Sequence, residues 1–444
     1  MDLSNLSAIF GNSAFTVVVF IVALSIIVTV HEYGHYIVGK WCGIKADVFS
    51  LGFGKPLLQR TAKDGTVWQV AAIPLGGYVK FAGDANAASA PDPHAVDGMA
   101  PEDARHTMPG APLWARTLTV AAGPMFNFIF SAIVFAGLLL STGQVKDTLE
   151  IAEVKPVPFE VGLQSGDTIV AIAGMPVPEL SQMGDFIETL PRAAQMDYTV
   201  ERDGTELTVT GPHPFPVIVG GITPKSAARD ARLQVGDVIT KVDDVTLNSF
   251  YELRDVVAAA EGNEMTLTVW RDGETFESAM TARRRDIPAD GGGFETRWLI
   301  GIYGSTLYTP ATDPVGIGSA LWGGVEGVWS VITGSLSGLY NMIVRNISAC
   351  NLTGAVGMAG AVGTMASQGI DSYINVIAFL STAIGLINLF PIPVLDGGHL
   401  VFYAAEAVRG KPLPDRAVGI MMTIGLVIVL FFMTMGLVSD FFCT

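Results

Sequence analysis

Four long stretches of the chain, about residues 14–38, 117–142, 373–395 and 417–439, are apolar enough to cross a bilayer, and Glu32 is the only charged residue in any of them. A crossing takes about 20 residues of helix. Hydrocarbon offers backbone groups no partner, so a segment held there closes its own hydrogen bonds as a helix. The chain is therefore expected to be a polytopic α-helical membrane protein with four transmembrane helices. Half of its 444 residues are hydrophobic and only 15% are charged, a balance outside that of ordinary soluble domains. A net charge of -16 leaves no basic surface for nucleic acid. Cys42, Cys350 and Cys443 are too few and too scattered for a disulfide framework or a cysteine zinc site.

Lys and Arg near the span ends set the expected orientation. None precedes the first span, whereas Lys40, Lys45, Lys55, Arg60 and Lys63 follow it and Arg116 stands before the second. The loop between spans three and four carries Arg409, Lys411 and Arg416, and the tail after span four carries none. Both termini are thus expected outside, with 40–116 and 396–416 in the cytoplasm. The first span lacks a positive leader and an A-x-A-like exit, so it reads as a retained helix rather than a cleaved signal peptide.

That first span ends in His31-Glu32-Tyr33-Gly34-His35. Residues i and i+4 share a helix face, so His31 and His35 can grip one metal ion, and Glu32 beside them can act as general base to the water that the ion activates. Ionisable groups at the end of a hydrophobic span are costly and usually functional. Span three runs into Asn388-Leu-Phe-Pro391-Ile-Pro393-Val-Leu-Asp396-Gly-Gly-His399, where the prolines break the helix. Spans one and three run in the same direction, so the two motifs reach comparable depth. Asp396 can then complete a His-His-Asp set with a fourth position open, as in catalytic zinc sites. His399 is the rival third ligand. In span two, Asn127 needs a partner and Gly123 permits close approach; this pair gains interest only if span two borders the metal.

Between the motifs the chain divides readily. After helix one (1–45), residues 46–83 read as short strands broken by Gly and Pro, apolar enough to dip into the interface and able to hold an extended substrate at an edge. Residues 84–112 are Ala-, Pro- and Asp-rich without periodicity, a flexible cytoplasmic loop in which His94 and His106 are expected to be solvated. Helix two occupies 113–145. Then Leu163-Gln164-x-Gly166-Asp167-x-Ile169 recurs as Leu233-Gln234-x-Gly236-Asp237-x-Ile239, and Val200-x-Arg202-Asp203-Gly204 as Val269-x-Arg271-Asp272-Gly273. Two copies of one small α+β domain, 146–215 and 216–288, are expected in tandem outside the membrane. Their L-x-x-G-D-x-I run resembles that of PDZ domains, which take an extended peptide or a free C-terminus. Residues 289–370 read as a linker with amphipathic, surface-lying helices, in which Asn346 and Asn351 begin chance-level glycosylation sequons. The third span with its LDG motif (371–400), a cytoplasmic loop (401–416) and the fourth span with its tail (417–444) complete the chain.

HEYGH, GPMFN in span two, the PDZ-like repeats and NLFPIPVLDGGH together resemble the site-2 protease family of intramembrane zinc metalloproteases, over almost the full length. That resemblance implies Zn2+ on His31, His35 and Asp396, Glu32 as catalytic acid/base, and Asn388, Pro391 and Pro393 holding substrate near the metal. It implies a membrane-associated β-segment that binds the unwound substrate, and periplasmic PDZ-like domains that filter by size. The substrates implied are single-span proteins of the bacterial inner membrane, notably anti-sigma factors after a first cut, and remnant signal peptides. Two alternatives stay open on the residues: a membrane-anchored zinc peptidase cutting at the cytoplasmic face, and a non-catalytic PDZ-bearing scaffold.

Overall fold

In the computed structural model, described for residues 12–84, 95–223, 225–288, 294–344 and 353–442, the described residues fall into two units that divide near Leu138 and Ile317. The expected features at His94, Asn346, Asn351, Cys350 and Cys443 lie outside the described residues.

The helical unit opens with α1 (Asn12–Trp41), in which Phe15, Val19, Ala23 and Ile27 form a buried stripe four residues apart. Continued along the helix, the same spacing arrives at His31 and His35. The stripe packs on Val362 and Ala366 of a short helix and on Tyr373 and Ile377 of a longer one. The Tyr373 hydroxyl donates to the Val19 carbonyl at 2.7 Å, giving the buried phenol a partner. Two strands follow, β1 (Ala46–Thr61) and β2 (Val67–Phe81), joined as an antiparallel hairpin through the Lys63-Asp64-Gly65 turn. The short strands expected here are two long ones. Gly52 and Gly54 take positive φ and the register shifts along the pair, so the chain bends without ending a strand. Phe49 stacks on Trp68 at 4.3 Å, and Tyr36 meets the edge of Trp68 at 5.1 Å, which seats the hairpin on α1.

The segment expected as a flexible loop is not one over its described part. Met108 and Ala111 are buried in the core formed by the hairpin, the end of α1 and the start of the next helix. His106 is exposed, as expected, and its Nδ1 lies 2.7 Å from the Gly43 carbonyl. The small apolar side chains scattered among the Pro and Asp residues supply this anchoring. Helix α2 (Leu113–Thr142) then runs the length of a span. Helices α3 (Ile317–Ile343) and α4 (Ala355–Ser367) come from the expected linker; α3 lays Ala320, Gly324 and Val328 inward, with Gly324 against Ala132 of α2. The last three helices are α5 (Ile370–Asn388), α6 (Asp396–Arg409) and α7 (Asp415–Phe442). Among the described residues, four helices are long and apolar enough to cross a membrane: α1, α2, α5 and α7. The third ends at Asn388 rather than near 395, because the two prolines withdraw the backbone donors that a further turn needs.

The second unit holds the sequence repeat. Strands β3 (Ile151–Val154), β4 (Thr168–Ile172), β5 (Met196–Arg202) and β6 (Thr205–Gly211) belong to the first copy. Strands β7 (Ile218–Ile222), β8 (Val238–Val242), β9 (Glu264–Arg271) and β10 (Glu274–Thr281) belong to the second. The two R-D-G steps are tight hairpin turns with positive φ at Asp203, Gly204, Asp272 and Gly273. Each repeated Asp meets the repeated Arg: Asp167 takes two bonds from Arg202 at 2.6 and 2.8 Å, and Asp237 two from Arg271 at 2.6 and 2.7 Å. The expected boundary at 288 does not hold. Strand β11 (Ile302–Ser305) adds to β7 of the second copy, and β12 (Tyr308–Pro310) pairs with β3 of the first. Residues 294–313, expected in a linker, thus complete both copies.

Candidate metal centre

The i, i+4 histidines of α1 meet the first residue of α6. His31 Nε2 lies 3.1 Å and His35 Nε2 3.5 Å from Asp396 Oδ2, and the two Nε2 atoms are 3.2 Å apart. Asp396 reaches this point because Pro391 and Pro393 end α5 and turn the chain into a new helix, whose first turn also suits an acidic side chain. The three side chains are 11, 12 and 18% exposed, so the cluster is nearly closed yet reachable.

Three atoms with lone pairs aimed at one point repel unless something positive lies between them. Asp396 Oδ2 is buried and has no hydrogen-bond partner among the described residues, an orphaned acceptor. Zinc–ligand bonds of about 2.0–2.2 Å set the edges of a tetrahedron at about 3.3–3.6 Å, close to the spacings found. The donor set and its geometry therefore fit zinc, and among the described residues this is the group that could hold a metal ion. His399, the rival ligand, stands one turn along α6 and is not part of the group; its ring lies against Phe402.

The ring nitrogens that face away are also engaged. His35 Nδ1 lies 2.8 Å from the Thr119 carbonyl, which accepts a proton there and leaves Nε2 free to ligate. His31 Nδ1 lies 3.3 Å from the Asn127 side-chain amide. Both partners are on α2, which crosses α1 at Gly34 and Gly123. A Cβ at Gly123 would stand 2.3 Å from His35 Nε2, and one at Gly34 would stand 2.6 Å from the Ala122 carbonyl, so only glycines let the helices meet here. Asn127 and Gly123 stood out in the sequence, but their contact with the histidines did not. The Thr119 carbonyl left no signal at all, because a main-chain acceptor has no residue type.

Glu32 faces the hairpin. The backbone N–H of Val79 in β2 donates to its carboxylate, and the imidazoles and Asp396 lie within electrostatic reach. Asn388 closes α5, Pro391 is exposed, and Pro393 packs beneath Gly425 of α7. The structure places these three on the segment leading to Asp396, outside the ligand cluster.

The sequence profile of Peptidase family M50 matches residues 19–432. An Agrobacterium fabrum protein named "Putative zinc metalloprotease Atu1380" is 34% identical over 93% of each chain. The Regulator of sigma-E protease RseP of Salmonella typhimurium (strain 14028s) is 30% identical over 95% of this chain and 97% of its own, and that of Escherichia coli K12 is 29% identical over the same shares. With a family match across nearly the whole chain and a zinc-fitting cluster where a membrane-length helix meets the start of α6, this protein belongs to peptidase family M50, the zinc metalloproteases of site-2 type.

Proposed function

We propose that this protein hydrolyses peptide bonds in or near the transmembrane segment of single-span proteins of the bacterial inner membrane, with His31, His35 and Asp396 holding zinc and Glu32 moving the proton. The observation that carries the reading is the convergence of HEYGH and LDGGH at one buried point beside an antiparallel hairpin. When bound, zinc supplies polarisation of the scissile carbonyl and a lowered pKa for the attacking water. Glu32 takes a proton from that water as its oxygen bonds to the carbonyl carbon, then delivers the proton to the nitrogen as the C–N bond breaks. The Val79 N–H, which donates to the Glu32 carboxylate, would hold it in place for both transfers.

A membrane helix hides its carbonyls in its own hydrogen bonds, so a substrate must unwind before it can be cut. The hairpin offers compensation. Phe53, Leu57, Leu58 and Ile73 are exposed along it, an apolar ribbon able to meet an extended hydrophobic segment by strand addition. Asn388, Pro391 and Pro393 would flank the same substrate. The two repeat domains serve as periplasmic PDZ-like modules that admit substrates once their outer domain has been trimmed. An anti-sigma factor is one such substrate, a reading in keeping with relatives named regulators of sigma-E protease, and remnant signal peptides share its single-span character.

The test is cleavage of a tagged single-span substrate by the purified full-length protein in detergent, with Glu32→Gln beside it and bound zinc quantified in both. The expected result is a cut inside the hydrophobic segment, lost by at least about 100-fold in Glu32→Gln with zinc retained. Cleavage by Glu32→Gln at the wild-type rate would sink the assignment. A cut mapped only to flanking soluble residues would favour a peptidase of the membrane surface.

A further inference from the structure

The side chain of Asn127 lies wholly buried in α2, at a depth where an amide without a partner is expensive. Helix packing accounts for its backbone, since its carbonyl accepts from Ser131 Oγ at 2.9 Å and from Ser381 Oγ of α5 at 3.2 Å. Packing does not account for its amide group. One end of that group lies 3.3 Å from His31 Nδ1, and the other end, Oδ1, is buried with no hydrogen-bond partner among the described residues. Gly385 of α5 closes the space behind its Cβ. The amide is thus boxed between helices with a metal-site imidazole as its only side-chain partner among those described.

We infer that Asn127 is a positioning residue for His31: it fixes the ring's plane and holds the proton on Nδ1, so that Nε2 presents its lone pair to the metal. This rests on the ligand assignment proposed above. The argument is one of donors and acceptors. An imidazole that ligates through Nε2 carries its proton on Nδ1 and must donate it. The acceptor within reach is the Asn127 amide oxygen, which a half-turn of the amide brings to His31 within the same volume, oxygen and nitrogen being nearly the same size. That half-turn pairs the oxygen with the Nδ1 proton and moves the NH2 to where the oxygen stood. His35 meets the same need through the Thr119 carbonyl, so α2 serves both ligands, one by main chain and one by side chain. The sequence can vary only one of these supports, and that one is Asn127.

The experiment measures zinc dissociation from the purified full-length protein into excess chromogenic chelator. Asn127→Leu keeps the volume and removes the acceptor, Asn127→Asp keeps an acceptor, and Ser381→Ala disturbs the same helix contact without touching the amide. Outer partners of ligating histidines are worth about 10–100-fold in metal affinity. Asn127→Leu is therefore expected to release zinc about 10–100-fold faster, with Asn127→Asp and Ser381→Ala near wild type. Unchanged release from Asn127→Leu overturns the inference. So does equal acceleration in Asn127→Leu and Ser381→Ala, which would mark a packing effect, or in Asn127→Leu and Asn127→Asp. A His31→Ala protein that holds zinc as firmly as wild type would overturn the ligand assignment itself, a separate failure.

Discussion

At the scale of single residues, two buried carboxylates show how surroundings decide what an acid does. Asp396 is an acceptor among lone pairs, in the cluster that would hold zinc. Asp84, just beyond β2, is buried: Oδ2 accepts from the Phe81 N–H at 2.9 Å, while Oδ1 has no hydrogen-bond partner among the described residues. Burial pushes its carboxyl up to about 7, against the help of the Phe81 N–H and Lys80, with Asp47 adding to the rise. In the unfolded chain this group ionises near pH 4. Between about pH 4 and 7 the folded state alone keeps the proton, so stability falls as pH rises through that window and levels off above it. Asp84→Asn removes the buried charge. The variant should gain roughly 2–4 kcal/mol over wild type at pH 8 and little at pH 4. Thermal unfolding in detergent at the two pH values checks this, and an equal effect at both would refute it.

At the scale of elements, the site depends on three helices and a hairpin being held in register, and the sequence revealed these parts unequally. HEYGH and LDGGH were legible because metal chemistry demands particular residue types at helical spacing, and Pro391 and Pro393 announced the break that frees Asp396. The brace on α6 was not legible. Arg116, read only as an orienting charge, forms a two-pronged pair with Glu406 at 2.7 and 3.1 Å, and its guanidinium lies 5.2 Å from the Tyr403 ring centre. The partners are far apart in sequence, and no local pattern links them. Both are mostly buried, at 14 and 16% side-chain exposure, so removing one strands the other. Arg116→Ala should cost about 3–5 kcal/mol, whereas the apolar pair Arg116→Met with Glu406→Leu should recover most of that. Unfolding midpoints of the single and double variants decide the matter. An Arg116→Ala protein as stable as wild type would leave the brace without energetic weight.

At the scale of the whole molecule, a repeat in sequence is not yet a boundary in structure. The two L-x-x-G-D-x-I copies were visible because each needs the same turn and the same Asp–Arg pair. The strands that finish both copies carry no such mark: β11 and β12 are short and match nothing earlier in the chain. Yet Leu307 and Tyr308 lie in the first copy's core, Ile300 lies in the second's, and Tyr251 of the second copy packs into the first. The Leu307 N–H also donates to the Pro214 carbonyl in the connection between the copies. Full burial of one such side chain contributes about 1.5–3 kcal/mol. Losing three of them, together with the edge strand β11 and the partner of β3, exceeds what a small domain can spare. A fragment cut at 288, where the repeat ends, should therefore fail to fold, while one carried through Asp313 should unfold in a single cooperative transition. Limited proteolysis and thermal melts of both fragments give the readout. A protease-resistant, cooperatively melting 146–288 fragment would mean that the copies are independent after all, with the returning strands mere lacing.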